Sequence, residues 1–217
     1  MTQDGRGDRR AELASSLQRV HDRIAAACAA GARDPAEVTL TVVTKFFPAS
    51  DVRLLAGLGV ADVGENRHQE AQAKAAECAD LGLRWHFIGH LQSRKAKTVN
   101  EICELCHSLS SESAAAKLTI PALVEVNLSG EESKSGVTPD QLPALVAAYP
   151  HVRGLMTMPP FTEDPDRSRP YFRRLRDLAE QHGLRELSMG TSQDWRVAVE
   201  EGATYIRVGA GIFRPAE

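Results

Sequence analysis

The chain has 217 residues, a net charge of −3, 42 % hydrophobic residues and 25 % charged residues. A single domain of that length buries roughly 70 % of its unfolded-chain surface, so neither a metal nor a disulfide is needed to hold it together. The charge argues against nucleic-acid binding through a broad basic field, no stretch approaches the ~20 apolar residues of a membrane span, and four irregularly spaced cysteines fit a reducing, cytoplasmic setting.

Residues 1–10 carry arginines with no apolar run behind them, which excludes a secretory signal and reads as a disordered lead-in to one domain over 11–217. Leu13, Leu17, Val20, Ile24 and Cys28 recur at spacings of three and four, the stripe of a long amphipathic helix that Gly31 ends. Asp34-Pro35-Ala36-Glu37 reads as a capped turn. Short apolar runs then mark strands at Leu40–Thr44, Asp62–Gly64, Trp85–Ile88, Glu104–Ser108, Leu123–Asn127, Val152–Met156, Glu186–Met189 and Tyr205–Val208. Amphipathic stretches lie between them. Ser50 is expected to cap one helix. Thr138-Pro139-Asp140-Gln141 is a capping box that opens another, and Ser192 reads as an N-cap with Asp194 in the first turn. Pro165 to His182 reads as a longer helix closed by Gly183.

Strands that alternate with helices imply a parallel sheet, because parallel neighbours need crossover connections. Eight strands suit closure into a (β/α)8 TIM-type barrel. The alternative, an open doubly wound sheet, normally has a glycine-rich phosphate turn after its first strand. Here that strand runs into Thr44-Lys45-Phe46-Phe47-Pro48, without glycine.

In such barrels function collects at the C-terminal strand ends. Alternation places Thr41, Val43 and Lys45 on one face, so Lys45 is expected at the barrel mouth, where desolvation favours a neutral amine able to condense with an aldehyde. Asn66, after strand two, offers a donor and an acceptor. His86 and His90 lie four apart on a strand rather than a helix, which favours packing and hydrogen bonding over metal binding. Lys134 sits in a polar loop after strand five. Ser188-Met189-Gly190-Thr191-Ser192 and Val208-Gly209-Ala210-Gly211 follow strands seven and eight, where these barrels commonly hold phosphate. Arg207 would enter the mouth from strand eight, paired with a ligand or with Glu65 or Asp194. Cys103-Glu104-Leu105-Cys106-His107 matches a haem-attachment pattern, but two structural cysteines on a strand are the simpler reading.

The chain resembles the pyridoxal phosphate homeostasis proteins, which look like the barrel domain of bacterial alanine racemase standing alone. The resemblance runs from about Thr39 to Phe213. It rests on Val42-Val43-Thr44-Lys45, Gly64-Glu65-Asn66-Arg67-His68-Gln69-Glu70, Trp85-His86-Phe87-Ile88-Gly89-His90-Leu91-Gln92, Glu132-Ser133-Lys134-Ser135-Gly136, Gly154-Leu155-Met156, Leu187-Ser188-Met189-Gly190-Thr191-Ser192-Gln193-Asp194 and Ile206-Arg207-Val208-Gly209. It implies pyridoxal 5'-phosphate (PLP) as cofactor, held as a Schiff base on Lys45. It implies that Ser192, with the backbone around Met189, Gly190, Gly209 and Ala210, holds the phosphate. It implies that Arg207 faces the pyridine nitrogen, that Asn66 lines the cofactor, and that Lys134 lies in a loop handling a second or departing cofactor. Departures are Ala210 where the family usually has Thr, Arg214 in place of Gly, His90 in place of Gln, and a short segment from Ser110 to Ile120.

An arginine at the ring nitrogen makes the cofactor a weak electron sink, and a racemase needs acid/base groups on both faces of the substrate carbon. None of the three tyrosines is placed for the second role. The expectation is therefore a non-catalytic cytoplasmic carrier or buffer, monomeric, in exchange with PLP-dependent apoenzymes. A slow racemase-like PLP enzyme and a Schiff-base aldolase are the alternatives.

Overall fold

A computed structural model describes residues 4–131 and 134–214. The strands are β1 (Thr39–Val43), β2 (Asp62–Glu65), β3 (Arg84–Phe87), β4 (Leu105–Leu109), β5 (Ala122–Glu125), β6 (Val152–Met156), β7 (Glu186–Ser188) and β8 (Tyr205–Val208). They pair in chain order, every pair parallel, and β8 closes on β1 with Thr39 opposite Tyr205 and Thr41 opposite Arg207. The fold is the expected (β/α)8 barrel, and the open doubly wound sheet is excluded. Helix α1 (Asp4–Ala30) precedes the first strand. After β1 to β5 come α2 (Ala49–Ala56), α3 (His68–Glu77), α4 (Ala96–Ile102), the single turn α5 (Glu112–Ala115) and α6 (Leu142–Ala148). Then come α7 (Arg169–Gln181), α8 (Trp195–Glu200) and α9 (Ala210–Phe213).

The apolar stripe of α1 is buried from Leu13 to Cys28 and packs against α2, α8 and α9. Residues 4–10 belong to this helix rather than to a disordered lead-in. The physical reason is a partner far along the chain, since Arg9 pairs with Asp51 at 2.7 Å and donates to the Phe213 carbonyl at 3.0 Å. Three capping expectations also shift. Pro48, not Ser50, precedes α2. The Thr138 amide does donate to Gln141 Oε1 at 3.0 Å, but α6 begins only at Leu142. Asp194, not Ser192, is the N-cap of α8.

Period-2 alternation sorts the strand residues into two cores. The main core lies between strands and helices and includes Val42, Val63, Phe87, Cys106, Val124, Leu155, Leu187, Met189 and Val208. The barrel interior holds a small apolar cluster of Leu105, Leu123 and Met156, with Tyr205 packed against it. Other interior positions are polar, among them Asp62, His86, His107, Glu125, Ser188 and Arg207, all buried. Branched aliphatic residues usually fill this space in barrels. All four cysteines are buried and free. Burial raises the thiols of Cys103 and Cys106 to about 12 and about 11, the state of packing residues rather than of a redox or haem pair.

Candidate functional site

The C-terminal ends of β1, β2, β7 and β8 form one side of the barrel mouth. β1 stops at Val43, and Lys45 stands in the turn just beyond, half-buried, its Nζ 5.8 Å from the Phe46 ring centroid. Phe46 adopts φ 71, an unusual left-handed conformation for a bulky residue. Phe47 stacks on Phe213 of α9 with ring centroids 3.9 Å apart. That stack ties the Lys45 turn to the end of β8. Gly209 completes the join, because a Cβ there would lie 3.1 Å from the Val43 carbonyl. The Gly209 amide donates to Ser192 Oγ at 3.4 Å, which draws the loop after β7 into the same cluster. Lys45, Ser192, Gly209 and Ala210 are thus neighbours through bonds and stacking across the closing seam of the barrel. Ser192 and Ala210 are exposed, and the first N–H groups of α9 have no intrahelical acceptor.

Behind the Lys45 turn lies a buried ion pair. Lys74 Nζ donates to Glu65 Oε1 at 2.5 Å and to the Thr44 carbonyl at 2.8 Å, while Thr44 Oγ1 donates to the same Glu65 oxygen at 2.6 Å. Glu65 therefore does not meet Arg207. Arg207 also makes no ion pair with Asp194, whose Oδ1 instead accepts the Thr191 amide at 2.7 Å. The Arg207 guanidinium, 4 % exposed, donates to Ser188 Oγ, to the Thr157 carbonyl at 3.1 Å and to Met158 Sδ at 3.0 Å. Desolvation lowers it to about 10, against the pull of Asp194 and Glu125, so it stays charged at neutral pH. Glu125, at the end of β5, moves the other way. Burial raises its carboxyl to about 7, Arg207 opposing.

Asn66 follows β2, half-buried, with no partner for Oδ1. Its backbone is pressed against Gly89, where a Cβ would sit 1.9 Å from the Asn66 carbonyl. Gly89→Ala is expected to displace Asn66 and to cost about 1–3 kcal/mol, the range of overpacking. Urea unfolding checks the stability, and an unchanged midpoint would contradict the contact.

Two expected members have other duties. Met189 is fully buried among the outer core residues, and its amide donates to the Tyr205 carbonyl at 3.1 Å. Its side chain takes no part in the mouth, because alternation turns it outward next to the inward Ser188. Gly190 has φ 89, and a Cβ there would meet Ala198 and the Trp195 backbone at 2.6 and 2.7 Å. Its glycine serves loop packing on α8, and its carbonyl accepts the Arg207 amide at 3.0 Å. Lys134 contacts Glu131 in its own loop at 3.1 Å. Glu132 and Ser133 of that motif lie outside the described residues. Glu125 and Thr157 did not stand out in sequence, and Ser188 and His107 appeared only inside motifs read for other roles. Alternation could have marked them as inward positions, but the partners come from strands far apart in the chain.

The chain matches the family "Alanine racemase, N-terminal domain" over residues 11–216. A pyridoxal phosphate homeostasis protein of Pseudomonas aeruginosa is 42 % identical, with 93 % of this chain and 94 % of that protein covered. One from Escherichia coli is 35 % identical over 93 % and 96 %. The structure of PipY from Synechococcus elongatus PCC7942, solved with PLP bound, is 34 % identical with a TM-score of 0.78, covering 93 % of this chain and 99 % of PipY. Alanine racemase of Corynebacterium glutamicum shares the fold, with a TM-score of 0.68 at 16 % identity over 60 % of its length. From the full-length likeness to the first three and the match across nearly the whole barrel, the chain belongs to the pyridoxal phosphate homeostasis protein family, built on the alanine racemase N-terminal domain.

Proposed function

We propose that this protein binds PLP at the C-terminal mouth of its barrel, on Lys45, and serves as a carrier or buffer of the cofactor rather than as a catalyst. The observation that carries this reading is Arg207. A buried guanidinium with no ion pair among the described residues is costly, and its known contacts are a hydroxyl, a carbonyl and a thioether. A ligand ring nitrogen at the mouth offsets that cost. The residues fit the group in other respects. Asn66 Oδ1 is buried without a partner, Ser192 presents an exposed hydroxyl beside the Gly209 amide, and Lys45 forms no ion pair among the described residues. PipY, a relative of full length, was solved with PLP bound.

When bound, PLP supplies an aldehyde that condenses with an amine and releases water. Lys45 provides that amine from a turn pinned by the Phe47–Phe213 stack. Arg207 would face the ring nitrogen and, as a group that keeps its own proton, would leave that nitrogen unprotonated. Ser192 and the amides at Ala210 and Gly211 receive the phosphate. Phosphate binding then rests on the loops more than on helix dipoles, since α8 and α9 are short.

Several features support a carrier. Tyr149 Oη donates to the Ile120 carbonyl at 2.5 Å, Tyr171 lies on α7, and Tyr205 opens β8 at the far end of the barrel. None is placed as a second acid/base at the mouth. The same reading makes the protein a cytoplasmic monomer that yields PLP to apoenzymes. Among the described residues, no helix is long and apolar enough to cross a membrane.

The test is the visible spectrum of the purified protein with added PLP, beside Lys45→Ala. A yellow band that borohydride abolishes and that the variant lacks supports Lys45 as the attachment point. Equal binding by both proteins, or none by either, overturns the assignment and favours a Schiff-base aldolase. Robust turnover of alanine by the loaded protein overturns the carrier role and favours the slow racemase-like enzyme.

A further inference from the structure

The barrel interior contains a chain of side chains that the mouth alone does not explain. Ser188 Oγ accepts from Arg207 Nη1 and lies 2.7 Å from His107 Nδ1. His107 Nε2 lies 2.8 Å from His86 Nδ1. His86 Nε2 lies 3.0 Å from Asp62 Oδ1. Asp62 ends the chain at the N-terminal face of the barrel, where it takes Arg84 Nε at 2.8 Å and Arg84 Nη2 at 2.6 Å. Ser188 and His107 are fully buried, and His86 and Asp62 are 4 % and 7 % exposed. The Tyr205 ring lies against both imidazoles, with centroids 5.9 and 5.3 Å away.

With both imidazoles neutral, proton counting gives every bond one direction. The Arg84 and His86 hydrogen bonds hold the Asp62 carboxyl below its ordinary range despite burial, so Asp62 only accepts. His86 therefore carries its proton on Nε2, which leaves Nδ1 as an acceptor. His107 must then donate from Nε2 and accept at Nδ1. The Ser188 hydroxyl donates to that Nδ1, and its oxygen faces Arg207 purely as an acceptor. The opposite order would leave the fully buried Ser188 proton without an acceptor among the described residues. It would also require a proton on both His86 nitrogens. Burial pushes His107 well below the usual histidine range, in keeping with a neutral ring.

We propose that Asp62, His86, His107 and Ser188 form a one-way hydrogen-bond chain along the barrel that aims the Arg207 guanidinium at the mouth, as positioning residues for the ring of the bound cofactor. The link to a cofactor rests on the PLP reading above; the chain itself does not. With the Thr157 carbonyl and Met158 Sδ holding Nη2, the Ser188 oxygen fixes the second arm of the fork. The whole guanidinium plane is then set before any ligand arrives. Arginine holds its proton throughout, so the chain orients and does not conduct protons.

Two measurements test this. Long-range 1H–15N correlation spectra of the PLP-free wild type report histidine tautomers directly. Neutral Nε2–H forms at both His86 and His107 are expected, and an Nδ1–H or doubly protonated ring at either position overturns the chain. The second measurement uses PLP as probe with Ser188→Ala, Ser188→Thr and the outer-core control Val124→Ala. Ser188→Ala is expected to shift the visible band and to release PLP roughly tenfold faster, the scale of a buried group left unpaired. Ser188→Thr, which retains the hydroxyl, restores both. Val124→Ala lowers stability without moving the band. A Ser188→Ala spectrum and release rate equal to wild type overturn the positioning role. Failure of wild type to bind PLP refutes the proposed function and with it the cofactor role of the chain, and leaves the tautomer result standing by itself.

Discussion

Lys74→Met is expected to lower the free energy of unfolding by about 3–5 kcal/mol, the scale for breaking a buried ion pair from one side. Lys74 is 8 % exposed and Glu65 is fully buried, so neither charge has water to fall back on. One carboxylate oxygen of Glu65 already lacks a partner, and all its recorded bonds converge on the other. Methionine matches lysine in length, so lost packing is minor. What remains is a buried carboxylate held only by the Thr44 hydroxyl. Urea unfolding should show a lower midpoint with an unchanged slope. Lys74→Met combined with Glu65→Gln should recover most of the loss, because the orphaned charge is then gone. A single-variant loss below about 1 kcal/mol would mean that water reaches the pair. The substitution has a second reading at the mouth. Thr44, which both partners grip, immediately precedes Lys45, so a looser pair also loosens the reactive amine.

Glu125→Gln should raise stability, but only at neutral and alkaline pH. The folded-state carboxyl stands at about 7, above its ordinary 4.5. Between these values the unfolded chain gives up the proton and the folded chain keeps it. Stability of the wild type therefore falls as pH rises through that window, and levels off above it. Glutamine cannot ionise, so the variant escapes this loss. The difference should be small near pH 4 and reach roughly 2–4 kcal/mol in favour of the variant at pH 8. Comparing the two proteins at each pH cancels the other carboxyl groups. Parallel pH profiles would show that Glu125 ionises freely, and the burial argument would fail.

Much of the architecture was readable from the residues. Alternating apolar runs placed all eight strands to within a few positions, and the stripe from Leu13 to Cys28 identified α1. What escaped notice has a common origin. Arg9 looked like part of a loose tail because Asp51, which holds it, lies 42 residues away. His86 and His107 touch although 21 residues separate them, and His107 meets Ser188 across 81. A period-2 pattern tells which face a side chain takes, but not which strand stands opposite once the sheet closes. A local rule erred in a different way at Ser192. At Gly190 the positive φ and the contact with α8 account for the glycine itself. Ser192 lost the cap to Asp194 because the chain makes one more turn before α8 begins. At the mouth, Lys45, Ser192, Gly209 and Ala210 stand together at the seam between β1 and β8, Asn66 follows β2, the Met189 side chain faces outward and Lys134 contacts Glu131 within its own loop.

The sequestration of every thiol has a practical consequence. Cys28 and Cys78, like Cys103 and Cys106, are raised by burial, so none offers a reactive thiolate while the barrel stays closed. The native protein is therefore a silent background for alkylating dyes and spin labels. A cysteine introduced at an exposed rim position such as Phe161, 78 % exposed, can take a fluorophore without first stripping the natural four. The occupancy of the mouth can then be followed by light emission in an otherwise unaltered molecule. The same property makes the rate at which the natural cysteines become reactive a direct clock for opening of the barrel wall.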